Sequence, residues 1–169
     1  LGEQLAHGPR ELLRHRAVAS LGVDLERTEV EQVVELRHHP LAVRLADPGV
    51  RVELTATERV GFQRYTFPAS SAAHVVLDLD HRVEADGWRS TILDSEIEVR
   101  GDDTIVGWRR ITRWAVDRHV YFAARFSKPF AASGLLVGTE PKPGLRQARG
   151  QRLKAWVDYR TAAGDAVVV

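Results

Sequence analysis

Cysteine and methionine are both absent from the 169 residues. Without cysteine there is no disulfide, no thiol nucleophile and no thiolate metal site, and the redox compartment stays open, since a large core needs no disulfides. Methionine is missing even at position 1, and Leu1 has no basic stretch before an apolar run. The expectation is an internal piece of a longer protein, with any secretion signal upstream. No apolar run approaches the ~20 residues of a membrane-spanning helix. Charge of one sign is lacking too. Lys and Arg number 24 against 23 Asp and Glu, for a net +1, which removes the main argument for a nucleic-acid partner, a basic domain or stripe. Neither a G-x-x-x-x-G-K-[ST] or G-x-G-x-x-G phosphate loop nor a G-x-S-x-G nucleophile elbow occurs.

What is present is a globular composition, 44% hydrophobic and 28% charged, arranged as short strands. Between Arg51 and Pro68, Val52, Leu54 and Ala56 alternate with Glu53, Thr55 and Thr57, the period of a half-buried strand. A second strand follows Gly61 through Phe62, Tyr65 and Phe67, and Pro68 stops it. Leu41–Leu45 and Val50–Leu54 flank Asp47, Pro48 and Gly49, a hairpin connection. His74–Leu79 reads as a buried strand, and Thr91–Val99 and Thr104–Thr112 are joined at Gly101. In His119–Phe126, Val120, Phe122, Ala124 and Phe126 share one face. Leu153–Tyr159 and Ala166–Val169 read as a last hairpin, and Gly138–Gly150 as a surface loop. Strands at about 8–12-residue spacing, divided by Gly, Pro and Asp, predict an all-β fold, an antiparallel β-sandwich.

Residues 1–36 differ. Leu5, Leu12, Leu13 and Val18 form a short apolar stripe among helix formers over Glu11–Ser20, and Val30, Val33 and Val34 recur at helical spacing, although their β-branching also allows a strand. The expected organisation is a divergent, partly helical segment over 1–36 and an incomplete sandwich over 37–169. The last residues, Val167–Val169, stop inside an expected strand, a second sign of truncation.

Candidate chemistry is sparse. Asp78 and Asp80 would project on one face of a strand about 6.6 Å apart, inside the roughly 5–9.5 Å range of glycosidase carboxylate pairs, but a polar turn explains them better. His38 and His39 are adjacent and point to opposite faces; His74, His81 and His119 lack zinc spacing. Trp108 and Trp114 lie among Arg109, Arg110 and Arg113. Rings on a sandwich face can stack on sugar C–H faces while arginine bonds hydroxyls, and the same residues suit an interdomain patch. Trp108, Arg110 and Trp114 are therefore the candidate carbohydrate-binding or interdomain residues, with packing in the core as the competing role.

Three segments resemble one family. Val52–Pro68, His74–Leu79, and Asp103–Arg110 continuing through Trp114 and Tyr121–Phe130, with Lys154–Tyr159 as a weaker fourth, are similar to the amino-terminal domain of glycoside hydrolase family 92, calcium-dependent exo-acting α-mannosidases of bacteria. The resemblance implies a galactose-mutarotase-like supersandwich packed, in the whole enzyme, against a carboxy-terminal (α/α)6 barrel. It also implies hydrolysis of α-mannosides with inversion, including N-glycan degradation, by a secreted or cell-surface parent. The acid, the bases and the calcium site would lie on the barrel, so this chain is expected to hold no catalytic residue and no metal of its own and to be inactive alone. Gln63 stands where the family commonly has histidine, Leu41 and Ala42 where a Gly-Tyr-Tyr run is common, and nothing in Leu1–Leu36 matches the family's Gly-rich front region. The alternative is a free-standing carbohydrate-binding or interaction module without hydrolase activity.

Overall fold

The computed structural model describes residues 18–20, 30–34, 41–82, 84–85, 88–112 and 116–169. The strands run in chain order from β1 (Val18–Ser20), β2 (Val30–Val34) and β3 (Leu41–Leu45) to β4 (Arg51–Ala56), β5 (Gly61–Thr66) and β6 (Ser70–Asp78). A small ribbon of β7 (Glu84–Ala85) and β8 (Trp88–Arg89) follows, then β9 (Thr91–Arg100), β10 (Thr104–Thr112) and β11 (Arg118–Arg125). The chain ends with β12 (Ala132–Val137), β13 (Glu140–Pro143), β14 (Gln147–Gly150), β15 (Leu153–Thr161) and β16 (Ala166–Val168).

These strands build three main sheets, ordered β1-β6-β15-β12-β13, β11-β10-β9-β14 and β16-β5-β4-β3-β2. All pairings are antiparallel except β1 with β6. The expected all-β sandwich is what the chain forms. One apolar core joins all three sheets: Val75 and Leu135 come from the first, Ile97 and Ile105 from the second, Val52 and Tyr65 from the third. Burial of that size is the main stabilising term, at about 25 cal/mol per Å² of apolar surface removed from water.

Four expectations change. Val18–Ser20, inside the segment expected to be helical, is a strand; Val30–Val34, where helix and strand were both open, is a strand that pairs with β3; the rest of 1–36 lies outside the described residues. Sheet edges on β6 and β3 were available to a β-branched segment, and tertiary pairing overrides a weak helical period. The joint between β4 and β5 is the turn before Gly61, held by Thr57 N–H to the Val60 carbonyl at 2.8 Å, and Gly61 opens β5. Burial on β4 fades from Val52 to Ala56 because this end of the hairpin projects past the core.

The Gly138–Gly150 loop is instead two short strands. β13 pairs with β12 in the first sheet and β14 with β9 in the second, so the segment ties two layers together. Pro141 and Pro143 are tolerated because β13 is an edge strand, where a missing N–H breaks no ladder on the open side.

The last two strands do not form a hairpin. β15 has both edges occupied, by β6 and β12, so β16 turns the corner to β5, whose edge is open. The corner is fixed by Thr161 Oγ1 to the Pro68 carbonyl at 2.8 Å, Gly164 N–H to the Phe67 carbonyl at 3.0 Å, and Phe67 N–H to the Asp165 carbonyl at 2.9 Å.

Candidate functional site on the outer face of the second sheet

Alternation splits β9, β10 and β11 into two faces. Ile97, Val99, Ile105 and Ala124 point into the core. Gly107 lies between them with the Phe122 ring against it; a Cβ there would meet the Glu96 carbonyl oxygen and that ring. The opposite face carries Glu96, Trp108 and Tyr121 in one row, with Arg149 of β14 opposite Glu96. The next row holds Asp94, Arg110 and His119.

Every charged group in these rows has a defined partner. The Trp108 indole N–H donates to Glu96 Oε2 at 3.2 Å, and Gln147 Nε2 donates to Glu96 Oε1 at 2.8 Å. Arg149 grips Asp94 Oδ2 through Nε at 3.0 Å and Nη2 at 2.8 Å, and its guanidinium sits 5.4 Å from the Trp108 ring centre, within cation–π range. Arg110 holds Asp117 bidentately, at 2.8 and 2.6 Å. The hydrogen bond from Arg149 keeps the Asp94 carboxyl below the usual aspartate range, and that from Arg110 does the same for Asp117. His119 lies 5.9 Å from Trp108 and 6.2 Å from Tyr121, its plane within 19° of the tyrosine ring. Tyr121 is 71% exposed.

Of the three residues expected from the sequence, Trp108 and Arg110 share this face, while Trp114 lies outside the described residues. Trp108 is half-buried, anchored by its N–H and covered in part by Arg149, so it backs the surface rather than forming its outermost ring. Tyr121, Arg149, Glu96 and Asp117 were not singled out, and His119 was weighed only as a metal ligand. For Tyr121 and His119 the signal was present: once Val120, Phe122 and Ala124 are read as one face, the intervening residues form the other. Arg149 lay in the segment read as a loop.

Two of its carboxylates, Asp94 and Asp117, are held in their ionised form by arginine, whereas a general acid needs a raised pKa. The other acidic pair is also committed. Asp78 accepts from Asp80 N–H at 2.7 Å, His81 N–H at 3.2 Å and Lys154 Nζ at 2.6 Å, and Asp80 pairs with Arg82 at 3.0 Å. Asp103 accepts from Thr104 Oγ1 at 2.7 Å in its turn. Ser95 is wholly buried and donates to the Gly150 carbonyl at 2.6 Å. Among the described residues no three His, Asp or Glu side chains are grouped as metal ligands would be. His74 is buried, His81 and His119 stand apart, and His38 and His39 lie outside the described residues.

Comparison with known proteins follows the same outline. The family model for the glycosyl hydrolase family 92 N-terminal domain matches residues 33–169. The family GH92 alpha-mannosidase BT3965 from Bacteroides thetaiotaomicron superposes with a TM-score of 0.68 at 30% identity, covering 77% of this chain and 18% of that one. A structure of the same enzyme in complex with mannoimidazole matches at 31% identity, again with a TM-score of 0.68, over 77% of this chain and 17% of that one. The family GH92 inverting mannosidase BT2199 from Bacteroides thetaiotaomicron VPI-5482 shares the fold, with a TM-score of 0.64 at 19% identity, covering 82% of this chain and 17% of that one. The chain thus spans under a fifth of the length of these enzymes. No curated protein matches it.

Proposed function

We propose, for a chain that belongs to the glycosyl hydrolase family 92 N-terminal domain family, the role of a non-catalytic sandwich domain in an exo-acting, inverting α-mannosidase. The observation that carries this reading is the family match over residues 33–169 in a chain that covers only 18% of an α-mannosidase of that family.

In this reading the domain is a rigid support. Its single core holds three sheets in fixed relation, and the remainder of the polypeptide, a carboxy-terminal (α/α)6 barrel, supplies the acid, the base and the calcium ion. The substrates are α-mannoside glycans, met by a secreted or cell-surface enzyme. This chain's own contribution is to position and to bind, not to move a proton.

The test is turnover. Residues 1–169 should release no mannose from aryl α-mannosides or α-mannobiose, with or without added calcium, while the longer polypeptide that contains them should release it. Calcium-dependent turnover by residues 1–169 alone would sink the proposal.

A further inference from the structure

The inner face of the second sheet is what the core requires; its outer face needs only to be polar. Yet three rings lie there on neighbouring strands. Cross-strand pairing of Trp108 with Tyr121 adds some stability, but it does not require the tyrosine to stand 71% exposed. The rings form a graded series. Trp108 is tethered to Glu96 and partly covered by Arg149, His119 is next, and Tyr121, nearly parallel to His119, is open to water.

The charges beside the rings decide what fits. Arg110–Asp117 and Arg149–Asp94 are paired and partly solvated. Covering them with a protein domain would strip water from four ions, a cost that the pairing must offset, and interface cores are depleted in aspartate for that reason. A pyranoside makes no such demand. One of its faces is a plane of C–H bonds that packs on an aromatic ring, and its edges are hydroxyls that donate to carboxylates and accept from guanidinium groups while water remains at the rim.

We propose that this face binds glycan, with a pyranose ring packed on Tyr121 and its hydroxyls toward Arg110, Asp117 and His119. Resting on the family reading above, the glycan is an α-mannoside. Trp108 is a positioning residue that holds His119 and Tyr121 from behind.

Affinity electrophoresis of the whole chain through gels containing α-mannan, β-xylan or no polysaccharide tests this. α-Mannan should retard the chain; Tyr121→Ala should weaken retardation about tenfold, the effect of losing one good aromatic contact, and Tyr121→Phe should preserve it. Because Tyr121 is exposed, neither variant should disturb the circular dichroism spectrum. No retardation by any polysaccharide, or equal retardation of Tyr121→Ala and the parent chain, overturns the proposal. Tyr121-dependent retardation by xylan as strong as by mannan supports a glycan surface but removes the mannoside assignment. Mannosidase activity in the longer polypeptide with Tyr121-independent mannan binding overturns the surface and leaves the family reading intact. Protection of Tyr121 from nitration in the longer polypeptide, with no mannan binding by the chain, would assign the face to a protein contact and overturn the glycan proposal.

Discussion

The same three strands present two surfaces that obey different rules. On the inner face of β9, β10 and β11, Ile97, Val99, Ile105 and Ala124 are buried against two other sheets. On the outer face, a residue away in each case, Trp108, His119 and Tyr121 stand among arginine–carboxylate pairs that bury little. The inner face is determined by volume, because a close-packed core responds to a single methylene. The outer face is determined by which groups meet in register, and the fold tolerates change there. Folding is thus carried on one side of the sheet and the proposed binding on the other, and substitutions should separate them.

The largest effect is expected on the inner side. Ile97→Ala should cost about 2–5 kcal/mol, the range for large-to-small changes in a core, seen as a lower denaturation midpoint in urea. Gly107→Val should come next, at about 1–3 kcal/mol of overpacking, because its side chain would strike the Phe122 ring and the Glu96 carbonyl; Phe122→Ala in the same chain should recover part of that loss. If Gly107→Val were neutral in urea unfolding, the separation of the faces would not extend through β10.

Smaller effects belong to the outer side. Arg149→Ala should barely move the urea midpoint, as expected for an exposed ion pair, while altering the Trp108 fluorescence maximum, since the guanidinium beside the ring is removed. Asp94 and Asp117 titrate lower in the folded chain than in the unfolded one. Their pairs therefore add stability above the ordinary aspartate value of about 3.9 and lose it as pH falls through the lower folded value. The melting temperature of the parent should exceed that of Asp94→Asn at pH 7, and the gap should close below about pH 4; a gap that widened in acid would contradict the pairing. The smallest change is expected from Tyr159→Phe. The Tyr159 hydroxyl is buried with no partner among the described residues, so its removal should leave the urea midpoint unchanged or slightly raised.

Much of this molecule was legible in one dimension. The period-two alternation read in β4 and β11, the strands β9 and β10, and the Pro48–Gly49 and Gly101 turns are local properties, and local physics reproduced them. The family resemblance of Val52–Pro68 and its companions was legible for the same reason, as unbroken segments that the family match over residues 33–169 contains. The misreadings share another cause. Gln147–Gly150 became a strand only because the β9 edge lay beside it, and Val18–Ser20 only because of β6.

By itself, then, the order of residues determined the fold class, the faces of strands such as β4 and β11, and the family, because alternation and turn chemistry act over a few neighbours. Tertiary structure decided the rest. It sent β16 to β5 rather than back along β15, because both edges of β15 were already filled. It also set Tyr121 beside His119 and Trp108, with Arg149 brought from β14. Strand pairing joins residues far apart in the chain, and no local pattern records which edge will be free.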